Sequence, residues 1–401
     1  MSAHLPFDGI RVLEFSHMVM GPTAGLVLAD LGAEVIKIEP VGIGDKTRHL
    51  PGSGSGYFPM FNRNKKSLAV DLKSDDGLGL VRRLADTADV ITENFRPGGL
   101  DAIGLGYEAL SATNPGLIYL SMKGFLHGPY ENRAALDEVV QMMGGLAYMT
   151  GPPGKPLRAG TSVNDIMGGL FGAMGVMAAL VDRTTTGEGQ LVRSSLFENN
   201  VFLVGQHMAQ FGVTGVPASP MPARLSAWAV YEVFDTSDDK IFIGVVSDTH
   251  WRAFCTAFEL DELGADESLA TNAGRVAARD RVIPAVATRL ARMSQADAAA
   301  RCEQANLPFA PIKTPEDLFD DPQLTEPGAM ATVTLENGRR LPLPTLPLEM
   351  SGRRFGARLD LPRTGEHGAE IARSLGYGET EIDRLVETGI LSISRPGDVR
   401  P

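Results

Sequence analysis

Apolar and polar positions fall into short blocks along the first third of the chain. Ile10–Phe15 (IRVLEF) is a nearly continuous apolar run, the pattern of a strand covered on both faces. Gly21–Leu31 follows as a helix rich in small residues, and Val35–Ile38 reads as a second strand closing on Glu39 and Pro40. Asp76–Thr87 has helical spacing, whereas Val90–Thr92 and Leu117–Ser121 read as extended. Strands alternating with helical stretches predict parallel βαβ units and an α/β architecture, with ligands beyond the carboxyl ends of the strands.

From Leu136 the pattern changes. Leu136–Met149, Ile166–Val181 and Leu196–Phe211 are Ala/Gly/Met-rich helices, apolar on most faces, which places them in a core or at a subunit interface. Met142, Met143, Met174 and Met177 read as core packing. Val213–Ser226 is a Pro-rich break. Extended runs at Ala229–Phe234 and Ile241–Val246, a turn at Ser237-Asp238-Asp239 and a helical segment Ala277–Ala305 predict a smaller α+β domain. A Pro-rich stretch, Leu341–Pro347, leads into helices near His367–Leu375 and Glu379–Thr388.

The composition narrows the function. The chain has 401 residues, 43% hydrophobic and 21% charged, enough for two or three domains. Its 37 Lys and Arg against 49 Asp and Glu give a net charge of −12, so neither nucleic acid nor an anionic membrane is an expected partner. Two cysteines exclude a disulfide framework. The first residues lack a signal-peptide pattern, and Ile166–Val181 is glycine-broken and short for a bilayer span; a cytoplasmic chain is expected. After Phe15 the sequence SHMVMGPTAG lacks GxGxxG spacing, no GxxxxGK[ST] loop occurs, and Gly52–Gly56 is out of phase for GxSxG. Seven scattered histidines without HExxH spacing predict no metal site.

The remaining segments occur in a defined order. They are Leu5–Pro22 (LPFDGIRVLEFSHMVMGP), Leu31–Glu39 (LGAEVIKIE), Met60–Ser67 (MFNRNKKS), Ala88–Leu100 (ADVITENFRPGGL), Leu120–Phe125 (LSMKGF) and Gln141–Gly145 leading to Gly160–Gly168 (GTSVNDIMG). Together with the GEHGAEI segment near the C-terminus, they make the chain resemble the class III CoA-transferases, the family of formyl-CoA transferase, the carnitine CoA-transferases and α-methylacyl-CoA racemase. The resemblance implies a large Rossmann-like domain formed by both chain ends (1–212 and 325–401), a linker (213–228) and a small inserted α+β domain (229–324). It further implies a homodimer whose two chains interlock like links, with the glycine-rich helix after Asp165 at the interface.

Asp165 matches the catalytic aspartate of the transferases. By position alone it also reads as an N-cap, with the helix beginning near Gly168-Gly169; the two readings are compatible, since a helix N-terminus keeps a carboxylate ionised and close glycines let a thioester approach. The implied chemistry is nucleophilic attack by Asp165 on an acyl-CoA, through a mixed anhydride and an aspartyl-CoA thioester. Such a site must exclude water and supply oxyanion donors, for which Gly144 and Gly145 are candidates. No tightly bound cofactor is implied; coenzyme A enters as acyl-CoA substrate.

The CoA-contacting positions carried over from the family are His17, Met18, Val19, Met20, Pro40, Val70, Asp71, Leu72, Lys73, Asn94, Phe95, Arg96, Ala102, Lys123, Gly124, Phe125 and Leu126. Val19 replaces a glutamine, and Pro40 and Ala102 replace arginines, leaving Lys73, Arg96 and Lys123 as the cations for the phosphates. Arg48, Arg63, Arg133, Arg158 and Arg224 are candidates for a second substrate carboxylate, pointing to short dicarboxylic acids such as succinate, mesaconate, itaconate or citramalate. The family's glycine-rich lid has no counterpart between Val213 and Val246, so Met221–Trp228 is the expected cover. A racemase-like epimerase is the rival reading, opposed by Leu136 where its histidine would stand. A non-catalytic CoA-binding module and a structural protein are the readings from other classes.

Overall fold

The computed structural model describes residues 4–223 and 227–394. Six parallel strands form the main sheet: β1 (Arg11–Phe15), β2 (Glu34–Glu39), β3 (Lys65–Val70), β4 (Val90–Glu93), β5 (Ile118–Lys123) and β6 (Leu191–Ser195). They lie in the order β3-β2-β1-β4-β5-β6, and the strand Leu391–Ser392 adds antiparallel to β3 as the seventh member. The order reverses between β1 and β4, so their carboxyl ends flank a topological switch point.

Eight helices accompany these strands along the chain: α1 (Met20–Asp30), α2 (Tyr57–Phe61), α3 (Asp75–Ala85), α4 (Tyr107–Ser111), α5 (Asp137–Met143), α6 (Leu146–Thr150), α7 (Val163–Thr186) and α8 (Leu196–Thr214). The helix expected over Leu136–Met149 is thus two helices, because Gly145 takes a left-handed conformation (φ 89°) that ends the run. The helix expected from Ile166 begins at Val163 and spans 24 residues. It is long and apolar enough to cross a bilayer, contrary to the sequence expectation. Its glycine face, however, lies on the sheet layer: a Cβ on Gly169 would sit 2.5 Å from the Met20 carbonyl oxygen, and one on Gly172 3.0 Å from Leu120. The glycines therefore bring α7 onto α1 and β5, and its exposed large apolar side chains are Leu170, Met174 and Val181. Met174, like Met142 on α5, points outward rather than into the core as the composition had implied.

The first three strands bury charge as well as apolar surface. Glu14 on β1, Lys37 on β2 and Lys65 on β3 have no solvent exposure. Lys37 Nζ lies 3.2 Å from Glu14 and 2.8 Å from Asp45, and Lys65 Nζ is 2.6 Å from Glu14. Loss of water, partly offset by Glu14, holds the Lys65 pKa down at about 8. Lys37 also donates to the Ser16 carbonyl at 2.8 Å, tying the cluster to the loop that leaves β1.

Contacts divide the chain into two compact units, residues 1–222 with 322–401, and residues 223–321. In the second, the antiparallel strands β7 (Tyr231–Asp235), β8 (Lys240–Gly244) and β9 (Phe309–Pro311) pack with helices on a core including Trp251, Phe254 and Phe258. The helical segment expected over Ala277–Ala305 is split into Arg279–Leu290 and Gln295–Gln304, the latter capped by the Ser294 side chain.

Candidate active site

Asp165 is the third residue of α7 and not its cap. Ser162 holds the N-cap position without a side-chain bond. The cap comes instead from Asp137, the buried first residue of α5. Its Oδ1 accepts from the backbone N–H of Asn164 (2.8 Å) and of Asp165 (3.1 Å). Its Oδ2 accepts from Gln141, whose Oε1 in turn accepts from the Ala159 N–H at 2.8 Å. One carboxylate thus clamps α5, the preceding loop and the first turn of α7 together.

That clamp has an electrostatic consequence. The Asp165 pKa is pushed up to about 7, first by burial and then by the charges of Asp137 and Glu138. A helix terminus is worth about 0.3–1 kcal/mol to an anion, whereas a displacement from 3.8 to about 7 corresponds to roughly 4 kcal/mol. Desolvation and like charge win, so the helix end does not keep Asp165 fully ionised as expected.

The loop after β1 lies against the same turn. Ile166 packs with Val19, and a Cβ on Gly168 would come within 2.4 Å of Met20 Cε. The space beside Gly168 and Gly169 is filled by Met20 and Thr23, so these glycines serve helix packing and not thioester access. Met18 adopts φ 63°, a left-handed conformation uncommon outside glycine. Asn94, at the end of β4, fixes the adjoining residue on both sides: its Oδ1 accepts from the His17 N–H (3.0 Å) and its Nδ2 donates to the His17 carbonyl (2.8 Å). His17 meets Phe95 edge-on at 5.3 Å. Val19 and Met20 are buried, so within His17–Met20 only the His17 and Met18 side chains are well exposed.

A cavity of about 200 Å³ opens at the carboxyl ends of β4, β5 and β6, lined by Glu93, Arg96, Lys123, Phe125, Leu126 and Arg193 among others. It brings together four of the expected CoA-contacting residues: Arg96, Lys123, Phe125 and Leu126. Arg96 is exposed, with no ion-pair partner among the described residues. Lys123 is not the free cation expected: its Nζ lies 2.6 Å from Glu93 Oε1 and donates to the Phe95 carbonyl at 2.7 Å. Gly124 leaves β5 against Ala135, whose Cβ would be 2.3 Å from a Cβ added there. Ala102 is exposed on the turn behind the cavity lining. Pro40 and Val70–Lys73 do not line this cavity; Pro40 and Lys73 are exposed, Asp71 and Leu72 half-buried, and Val70 is buried beside Leu391.

Other expectations are corrected. The Gly144 N–H donates to the Val140 carbonyl at 2.8 Å and is spent as an oxyanion donor. Arg48 is buried on Glu39 (2.7 Å) and stacked 3.7 Å over Phe58, so it faces no substrate. Arg63 is likewise enclosed, 2.7 Å from Asp30. Arg133 lies 5.0 Å over the Tyr130 ring. Arg158 is not removed from the candidates: about half exposed, it pairs with Glu138 at 2.7 Å through Nη1 alone. Arg224, and with it part of the expected cover Met221–Trp228, lies outside the described residues. Leu136 stands at the N-cap of α5, 66% exposed, where the rival reading requires an imidazole.

Sequence reasoning passed over the framework of the site. Asp137 and Gln141 are one helical turn apart, a spacing that pairs side chains and could have been read as a local bond. Asn164, Asn199 and Asn200 form a buried amide cluster at the start of α7 and α8. Asn200 Nδ2 lies 3.4 Å from Asn164 Oδ1, and Asn164 Nδ2, Asn199 Nδ2 and Asn200 Oδ1 have no hydrogen-bond partner among the described residues.

Residues 7–368 match the sequence pattern of CoA-transferase family III, and the chain belongs to that family of enzymes. It is 35% identical over 382 residues to the succinate–glutarate CoA-transferase of Agrobacterium fabrum, covering 92% of this chain and 96% of that one. It is 32% identical to the mouse succinyl-CoA:glutarate CoA-transferase, over 96% of this chain and 90% of the relative. The crystal structure of a CaiB/BaiF family protein from Brucella suis superposes with a TM-score of 0.83 at 35% identity, covering 93% of this chain and 100% of that one. The mixed α/β fold with its mostly parallel seven-stranded sheet is therefore that of CaiB/BaiF structures.

Proposed function

We propose that this enzyme moves CoA from succinyl-CoA, or a similar dicarboxylyl-CoA, to a short dicarboxylic acid, with Asp165 as nucleophile. The observation that carries the reading is the half-buried Asp165 in the first turn of α7, its backbone N–H fixed by Asp137, beside the loop at the switch point. An Asp165 carboxylate oxygen attacks the thioester carbonyl, the C–S bond breaks, and CoA leaves as thiolate from a mixed anhydride. The thiolate attacks Cγ of Asp165, releasing the donor carboxylate and leaving an aspartyl-CoA thioester. The acceptor carboxylate attacks that carbonyl and expels the thiolate, which then attacks the new acyl group and frees Asp165. No net proton is consumed, but Asp165 must be ionised at the outset.

His17, Met18, Asn94, Phe95 and Arg96 are assigned to the pantetheine and phosphates, Arg96 contributing the free charge. The relatives named for succinate and glutarate support the dicarboxylate class. A homodimer, with the interlocking the family likeness implies, is supported by the apolar face of α7 and α8. Intact-mass analysis after mixing with succinyl-CoA is the test: a covalent CoA adduct is expected, absent in Asp165→Ala. Rapid α-proton exchange of a 2-methylacyl-CoA without any adduct would replace this reading with the epimerase.

A further inference from the structure

A dicarboxylic substrate brings two charges to the site, and Asp165 chemistry uses one. The other calls for a cation, because a guanidinium fork binds a carboxylate through two parallel charge-assisted hydrogen bonds. Among the candidate arginines the structure removes two outright. The Arg48 and Arg63 side chains are closed off from solvent against Glu39 and Asp30; Nη1 of Arg63 has no partner among the described residues but is itself buried.

Arg158 differs. Its neighbour Ala159 donates to Gln141, Gln141 donates to Asp137, and Asp137 accepts the Asp165 N–H, so three bonds tie the arginine-bearing loop to the nucleophile. Its only ion-pair partner among the described residues, Glu138, adjoins Asp137 and is close enough for its charge to act on Asp165. The pair uses a single N–H, that on Nη1, and both side chains are about half exposed. Glu138 thus orients the guanidinium while Nε and Nη2 keep no partner among the described residues. A planar fork with one edge held and the rest open suits a second carboxylate, and a half-exposed pair of this kind is weak, so it yields readily.

We propose that Arg158 is the receptor for the distal carboxylate of the acid whose other carboxyl reacts at Asp165, with Glu138 as its positioning residue. The inference rests on the transferase reading above. Arg133, stacked on Tyr130 in the aromatic group with Phe125 and Phe197, is the comparison residue.

Competition between two acids of equal chain length tests it. Glutarate and pentanoate, mixed at equal concentration, are offered to the full-length enzyme with limiting succinyl-CoA, and the ratio of the two CoA products is read by mass spectrometry. Sharing one donor cancels any effect on the donor step. The wild type is expected to favour glutarate, and Arg158→Gln to lower that ratio at least tenfold. Arg158→Lys, which keeps the charge without the fork, and Glu138→Gln, which loosens the guanidinium, are expected to fall between. A merely structural arginine would slow both acids equally. A ratio within about twofold of wild type in Arg158→Gln, or a larger collapse in Arg133→Gln, overturns the assignment. The Asp165 adduct, measured in the same samples, separates the two readings: adduct with unchanged selectivity overturns the role of Arg158 alone, whereas no adduct and no product in the wild type overturns the transferase chemistry with it.

Discussion

A carboxylate that attacks a thioester has to be charged, yet Asp165 sits where charge is costly. With a pKa of about 7, caused by burial and by Asp137 and Glu138, it is only half ionised at neutral pH. Single-turnover adduct formation is therefore expected to rise with pH through about 7 and then level off. Asp137→Asn removes the nearer like charge, so the midpoint of that profile should move to lower pH; a midpoint unchanged or raised would rule out the coupling. Stability has the opposite sign. The folded state holds the Asp165 proton more tightly than the unfolded state, so this contribution is complete below pH 3.8 and is lost as pH rises through 7. Asp165→Asn, which does not titrate, should melt above the wild type at pH 8, with the gap closing toward pH 4. The loss at high pH has an upper bound of roughly 4 kcal/mol, and melting curves across that range measure it. Asp165 itself was legible because it sits in a recognisable segment. Asp137 was not, because its bond to the Asp165 N–H spans 28 residues of sequence and leaves no local trace. Lys123 misled for a related reason, since a lysine in a matched motif does not announce that Glu93 across the sheet has already neutralised it.

Elements carry a second kind of information. Strands β1, β2, β4 and β5 were legible because a parallel strand covered on both faces reads as an apolar run, and each expected strand lies within a residue or two of the observed one; β3 (Lys65–Val70) was not, because it opens on two lysines that break the run. The break at Gly144-Gly145 was hidden because apolar periodicity continues through it, while the left-handed φ at Gly145 is a backbone property. The start of α7 was hidden too, since the polar residues before Ile166 carry no helical period. Its glycines now have an assigned task, and it is testable. Gly169→Ala places a methyl against a backbone oxygen that cannot turn aside. It should cost about 1–3 kcal/mol in denaturant unfolding and slow adduct formation, by prising the Asp165 turn from the loop after β1. Full stability in that variant would mean that α7 is not seated on α1 as described. Across β1 to β3, Glu14→Gln leaves two buried lysines facing one fewer carboxylate. A loss of about 3–5 kcal/mol is expected, and a loss near zero would show that the cluster is not closed to water.

At the scale of the whole molecule the feature that bears on assembly is an exposed apolar face on α7 and α8. Phe202 on α8 is 71% exposed even though it meets the Phe171 ring at 5.5 Å, and Val213 is 87% exposed. Met208 and Phe211 on the same helix, and Leu170, Met174 and Val181 on α7, extend the surface. Large apolar side chains exposed on two adjoining helices are the usual mark of an interaction surface. The sequence had put these helices in a core or an interface but could not choose, because helical periodicity reports which residues are apolar and not what covers them. The glycine face of α7 turned out to be inside, so the face left for a second copy is the one bearing Leu170, Met174 and Val181. If a second copy covers this face, folding and association are one equilibrium. The melting temperature should then rise with protein concentration, and sedimentation should give a dimer at micromolar concentration. Phe202→Asp would place a charge on this apolar face at a residue that does not line the cavity. It should shift sedimentation to monomer, remove the concentration dependence and lower the melting temperature. A wild type that sediments as a monomer with a concentration-independent melting temperature would remove the second copy from the account, and with it the reason for these side chains to be where they are.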